Sequence, residues 1–171
     1  MCSYNRSISV VQLGARMHYA VPRILHDVGL LQYLYTDICA VKGWPRTLNC
    51  IPTSMRPVSL RRLLSRIPQG LPQEKIVAFN NFGLKYAWKL RHARSASKAT
   101  EIHLWAGDKI NDLVLSCWDH DTKVVYGYNS ACEKLFQSLC NRGVIRIMEQ
   151  TIAPKASEVA ILSSEQEWAF E

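Results

Sequence analysis

Two strand-turn-helix units of the same design frame this chain, and they restrict what it can fold into. The first runs from Ile8 to Leu13, turns at Gly14 and continues into a helix that stops at Gly29. The second runs from Val124 to Tyr128, passes Asn129, enters a helix ending at Gly143, and leads into the strand Val144 to Met148. The residues Glu149-Gln-Thr follow directly. Alternation of buried strand and amphipathic helix implies an α/β fold with a parallel sheet, because each parallel connection must cross back over a sheet face. In open parallel sheets ligands bind beyond the carboxyl ends of the strands. Polar residues cluster at those ends here, so function is expected there.

The intervening sequence fills in the same pattern. Val21, Ile24, Leu25 and Val28 form one apolar stripe at helical spacing, with Pro22 tolerated in the first turn. Leu30 to Ile38 reads as the next strand. Residues 45 to 72 hold five of the seven prolines and form an irregular insertion, with short helical turns near Leu60 to Arg66. A third strand is expected at Glu74 to Phe79, then helices over 81–97 and 99–118. Ile110, Leu113, Val114, Cys117 and Trp118 line one face of the second helix. Ser130-Ala-Cys-Glu133 matches a capping box, which predicts where the next helix begins. Cys132, Leu135, Phe136, Leu139 and Cys140 then share a face. Pro154 is expected to open a last helix carrying Val159, Ile161 and Leu162 towards Trp168. The whole of residues 1–171 reads as one domain.

The net charge is +7 and the sequence pI about 9.2. This favours an anionic partner, or else simply keeps a basic surface soluble. Of the six cysteines none forms a CxxC pair or sits beside a histidine at ligand spacing, so no metal site is expected. Cys117, Cys132 and Cys140 read as small core residues and the thiols as reduced. No stretch reaches the roughly 18 apolar residues of a membrane span, and the start lacks an apolar signal region. A cytoplasmic protein is expected, with contact at a membrane face left open.

Several side chains stand where chemistry is expected. Gly14, Arg16 and His18 follow the first strand. Helix-start N–H groups attract anions, and a guanidinium suits phosphate. The alternative is a plain tight turn with Arg16 solvated. The segment is neither a dinucleotide fingerprint nor a phosphate-binding P-loop. Asn129 either hydrogen-bonds a sugar hydroxyl or holds its turn. Glu149, Gln150 and Thr151 are three polar residues in succession at a strand end. Glu149 serves as a base there, or the three close the loop through internal hydrogen bonds. Phe82 to Arg94 mixes aromatic and basic residues, with Lys85, Lys89 and His92 on one helical face. It suits an anionic bilayer or a solvated helix; nucleic acid is not expected as a partner, since no helix-turn-helix, RNA-recognition or zinc pattern occurs. His103 and His120 stand alone, His103 as a packing residue beside Leu104 and Trp105.

Val11-Gln-Leu-Gly-Ala-Arg-Met-His-Tyr-Ala-Val-Pro-Arg-Ile-Leu-His, Tyr35-Thr-Asp-Ile-Cys, Lys42-Gly-Trp-Pro-Arg, His103-Leu-Trp-Ala-Gly, Val125-Tyr-Gly-Tyr-Asn-Ser-Ala and Glu149-Gln-Thr-Ile-Ala-Pro together resemble the amino-terminal half of bacterial family 4 glycosyltransferases. The resemblance runs from about residue 8 to 168. It implies a GT-B architecture, in which two Rossmann-like three-layer domains with mainly parallel sheets face each other across a cleft. The amino-terminal domain holds the acceptor, a sugar or lipid-linked sugar, and the carboxyl-terminal domain holds a nucleotide-sugar donor. Transfer retains the anomeric configuration, uses no bound metal and needs no cofactor beyond the nucleotide-sugar co-substrate. By this resemblance Gly14 and Arg16 face the donor phosphates. His18, Asn129, Gln150 and Thr151 face the acceptor, and Glu149 is the candidate catalytic residue. Many relatives carry histidine in the loops where this chain has Asn129 and Glu149. The family's donor-binding domain has no counterpart in these 171 residues, so a chain acting alone is expected to be inactive. The alternative reading is a non-catalytic basic α/β module that binds an anionic membrane surface or a partner protein.

Overall fold

The first strand, β1 (Ile8–Gln12), is buried on both faces, as a central strand of a helix-covered sheet must be. Val11 points into one apolar cluster and Val10 into another, so successive residues serve opposite sides. The computed structural model describes residues 7–129, 131–151 and 155–169. Within them β2 (Leu31–Thr36), β3 (Ile76–Ala78), β4 (Val124–Tyr128) and β5 (Ile145–Glu149) join β1 in one sheet ordered β3-β2-β1-β4-β5. Every pairing is parallel. Val10 is in register with Leu34 on one side and Tyr126 on the other. The chain builds outward from β1 to β3 and then returns to the other flank of β1. The two directions part between β1 and β4, the point where such sheets open a crevice.

Helices cover both faces, giving three layers. On one side lie α3 (Asn80–Arg91), α4 (Ala96–Ser116) and α5 (Glu133–Leu139). They bury Phe82, Ile110, Val114 and Leu135 against Val11, Tyr35 and Val125. On the other side lie α1 (Ala20–Asp27) and part of the Pro-rich insertion, packing Tyr19, Val21, Leu25 and Leu71 on Val10, Leu34 and Ile76. That insertion contains a 3₁₀ segment, Trp44–Cys50, and α2 (Val58–Leu64), close to the expected helical turns. The fold is therefore the expected Rossmann-like α/β arrangement.

Local expectations changed in five places. In α1 the stripe is rotated: Val21, Pro22 and Leu25 turn inward, while Ile24 and Val28 are exposed. Cys117 and Cys140 are exposed and only Cys132 of those three is buried, because Cys117 caps the end of α4 and Cys140 the end of α5, each just past its helix. The expected helix over 81–97 stops at Arg91, and Ser95 starts α4 by accepting the Lys98 amide at 3.1 Å. The helix expected from Ser130 begins at Glu133 with Cys132 at its cap position and no side-chain cap bond; Ser130 itself lies outside the described residues. Finally, β5 pairs with β4 at one edge of the sheet but exposes Ile145, Ile147 and Met148. The last helix, α6 (Lys155–Ala169), exists, and it too exposes Val159, Ile161 and Leu162. Pro154 and the side chain of Trp168 lie outside the described residues.

Candidate functional site

Among the described residues, the non-glycine residues with left-handed backbone all fall in the turn after β1. Gly14 has φ +74°, and then Met17, His18 and Tyr19 take φ values of 46°, 49° and 60°. Each left-handed non-glycine residue costs roughly 1–2 kcal/mol. Such strain persists only where surrounding contacts impose it, and it clusters at functional sites. Here the contacts can be named. Asp37 Oδ1 accepts the Gly14 amide at 2.9 Å. Gln12 Nε2 donates to the Gly14 carbonyl at 2.9 Å, and the His18 amide donates to the Ala15 carbonyl at 3.1 Å. The Tyr19 ring is buried against β1 and β2.

This geometry alters how the turn can act. The Gly14 amide is already engaged by a carboxylate and is not available to a phosphate. The turn also delays α1 until Ala20, so no helix start sits at the glycine. Arg16 is the arginine of this loop. Its guanidinium lies 5.0 Å over the Tyr128 ring, and Nη1 donates to Thr151 Oγ1 at 3.4 Å. Thr151 Oγ1 in turn donates to Asn129 Oδ1 at 3.1 Å. One side-chain chain thus links the loops after β1, β4 and β5. The Asn129 amide also donates to the Glu149 carbonyl at 3.1 Å.

Glu149 is at the same edge, and its Oε2 accepts the Tyr126 hydroxyl at 2.5 Å. Burial, together with that bond to a carboxylate, drives the Tyr126 hydroxyl well above the usual phenol range. One oxygen of Glu149 is thus held by a neighbour within the sheet, which suits a positioning role better than proton transfer. Gln150 is exposed and outside the bonded chain. His18 is exposed on the strained turn and lines none of the cavities described here.

Two cavities open at this edge. One, of about 290 Å³, is lined by Gly14, Arg16, Asp37, Arg66, Tyr86 and His103 among others. Asp37 is only 2% exposed and pairs with Arg66 Nη1 at 3.0 Å. The second, of about 240 Å³, lies between α4 and the segment following β4, and Asn129 lines it. His103 borders both. Its Nδ1 is hydrogen-bonded to the Tyr86 hydroxyl at 2.7 Å, so it is a polar residue at the cavity edge and not the packing residue expected from its neighbours. Burial raises the Tyr86 hydroxyl, with Asp37 adding to the effect.

Asp37, Arg66, Tyr86 and His103 were thus missing from the sequence-derived site. Asp37 stands just past the end of β2, which is the one signal that would have found it. The other three come from the insertion and from the covering helices, where spacing says nothing about the rim. Among the described residues no cluster of histidine, cysteine or acidic side chains is arranged to hold a metal ion. No helix among them is long and apolar enough to cross a membrane. Compared with known proteins, the chain matches no family model, no curated protein and no solved structure.

Proposed function

We propose that this chain is the acceptor-side domain of a retaining glycosyltransferase of GT-B type, moving a sugar from a nucleotide-sugar to an acceptor hydroxyl. The observation that carries the reading is the Arg16–Thr151–Asn129 chain of side chains, which spans the crevice between β1 and β4 at the carboxyl edge of the sheet. A guanidinium beside hydroxyl and amide groups suits a diphosphate next to a hydroxylated ring. The phrases that resemble family 4 glycosyltransferases fall on these same loops and support that reaction class. The donor is held by a second Rossmann-like domain across the cleft, and Arg16 meets its phosphates as charge develops on the leaving group. Glu149 orients the loop through Tyr126, and Asn129 and Thr151 present the acceptor.

The test is sugar transfer in the enzyme that includes the donor-binding domain. Arg16→Ala and Thr151→Ala are each expected to lower kcat/KM at least about tenfold, or about 1.4 kcal/mol. Unchanged turnover in both variants would remove the basis for the site.

A second reading, compatible with the first, concerns the membrane surface. Between Glu74 and Glu101 the sequence has no acidic residue but carries Lys75, Lys85, Lys89, Arg91, Arg94 and Lys98. The structure turns Leu84 and Trp88, 52% and 60% exposed, outward on α3, one turn apart, next to Arg91. Lys85 and Lys89 lie over the Trp105 ring at 5.8 and 5.0 Å. Exposed apolar side chains ringed by cations suit an anionic bilayer. Sedimentation with phosphatidylglycerol vesicles is expected to capture the chain, and added salt or Trp88→Ala to release it. Equal capture by phosphatidylcholine vesicles would count against a charge-guided surface.

A further inference from the structure

The phrase Lys42-Gly-Trp-Pro-Arg lies outside the crevice between β1 and β4, and its parts combine to place one ring. Asn80, 8% exposed at the start of α3, fixes the backbone on both sides of it. Its Oδ1 accepts the Cys39 amide at 3.3 Å, and its Nδ2 donates to the Lys42 carbonyl at 2.7 Å. Gly43 then takes φ +67°, and a Cβ there would stand 2.7 Å from Asn80 Nδ2, so glycine is what lets the chain approach so closely. Pro45 is buried in the first turn of the 3₁₀ segment that follows. Between these anchors Trp44 stays only partly buried, and its Nε1 donates to Asn81 Oδ1 at 3.1 Å. A ring fixed by its neighbours and still open to solvent is one held ready for a contact.

Trp44 borders a cavity of about 340 Å³ at the β3 edge of the sheet, together with Phe79, Asn80, Asn81, Phe82 and Leu113. Small-molecule sites begin at about 300 Å³. Phe82 is stacked on Tyr86 with ring centroids 6.2 Å apart, whereas no other ring among the described residues meets Trp44 or Phe79. No charged side chain among the described residues lines the cavity, unlike the cationic one at Arg16 and Arg66 or the one bordered by Asp108 and Glu133. Both ends of the Asn80 carboxamide are bonded, and Asn81 has its oxygen on Trp44. The amide group without a partner is therefore the Asn81 NH₂, a donor.

This lining discriminates among ligands. An ion of either sign finds no counter-charge, and a cation also meets the Asn81 donor. A saturated chain would strip water from that donor and return no hydrogen bond. A hydroxyl-rich ring would bring several polar groups against a single free amide. A flat ring with an acceptor on its edge stacks on an open aromatic face and satisfies the donor. We propose that this cavity binds an uncharged heteroaromatic ring of nucleobase type, stacked on the Trp44 indole and accepting a hydrogen bond from the Asn81 NH₂. The site is separate from the sugar-transfer crevice, shares no lining residue with its cavities, and does not depend on that reading.

Heteronuclear NMR of the full chain tests this through the Trp44 indole N–H, assigned with Trp44→Phe, and the Asn81 side-chain NH₂. The probes are adenosine, uridine and AMP, with cyclohexanol, choline and methyl glucoside as controls. At least one nucleoside is expected to shift both signals, AMP to bind no tighter than adenosine, and the controls to shift neither. Trp44→Phe keeps a ring and is expected to keep binding, while Trp44→Ala is expected to weaken it at least about tenfold. Asn81→Asp retains an acceptor for the indole but removes the donor, and is expected to weaken binding at least about tenfold as well. Asn81 is exposed, so this variant decides the matter if the alanine variant fails to fold. Silence from both nucleosides, a control that binds as tightly, binding that requires the AMP phosphate, or undiminished affinity in Trp44→Ala or Asn81→Asp overturns the proposal.

Discussion

Asp37 reaches from the end of β2 to accept the Gly14 amide at 2.9 Å while its other oxygen pairs with Arg66 at 3.0 Å. One buried carboxylate thereby ties the turn after β1 to the Pro-rich insertion. Without this clasp Gly14, at the head of the segment with three left-handed residues, would keep only the Gln12 bond to its carbonyl among the described contacts.

Asp37→Ala is accordingly expected to destabilise the fold by about 1–3 kcal/mol. The figure is below the 3–5 kcal/mol typical of a broken buried pair because Arg66 is 34% exposed and can turn to water. Asp37→Asn keeps an acceptor for Gly14 but loses the charge, so it should fall in between. Urea denaturation of the two variants separates these contributions; equal losses would mean that the Gly14 bond contributes nothing.

Gly127 lies in β4 between Val11 and Met148, and a Cβ there would stand 2.7 Å from the Cβ of Cys132. Gly127→Ala should cost about 1–3 kcal/mol of overpacking. At about 3 °C per kcal/mol that lowers Tm by roughly 3–9 °C. A melting curve indistinguishable from the parent would show that the helix entry at Cys132 can move aside.

Thiol chemistry distinguishes the cysteines by burial. Iodoacetamide on the native chain should label Cys50, Cys117 and Cys140, which are exposed, and spare Cys39 and Cys132. Burial pushes the Cys132 thiol up from 9.0 to about 11, with Glu133 adding to the effect. The folded chain thus keeps this proton after the unfolded chain has lost it. Its contribution is fully present below about pH 9 and is lost as pH rises through about 11. The hydroxyls of Tyr19 and Tyr35, raised chiefly by burial, act in the same direction at higher pH. Urea midpoints should therefore be flat near neutrality and fall under alkaline conditions; a rise there would contradict the burial of these groups.

Tyr86 and His103 meet across α3 and α4 at 2.7 Å. Tyr86→Phe should leave the fold intact while changing the nitrogen shifts and tautomer balance of His103, read by NMR of the imidazole. Unaltered shifts would show that the hydroxyl does not set the ring.

The sequence announced the parallel α/β framework because strand and helix periodicities are local and several strands here are sheathed on both faces. It also pointed to Arg16, Asn129 and Thr151, since polar residues just after strands must lie at the carboxyl edge of any parallel sheet. Their mutual bonding was not legible, nor was the engagement of Gly14 by Asp37, because both depend on which strands become neighbours. The same applies to Tyr126 and Glu149, which meet only because β4 and β5 pair in one register.

What the amino-acid order determined alone was the kind of layer each segment builds, through the spacing of its apolar side chains. Tertiary structure decided the strand order, which left β5 at an exposed edge. It also brought Asp37, Arg66, Tyr86 and His103 to the cavities beside β1 and β4. The physical reason is that those residues belong to separate elements, and their meeting depends on packing between layers rather than on any period within one.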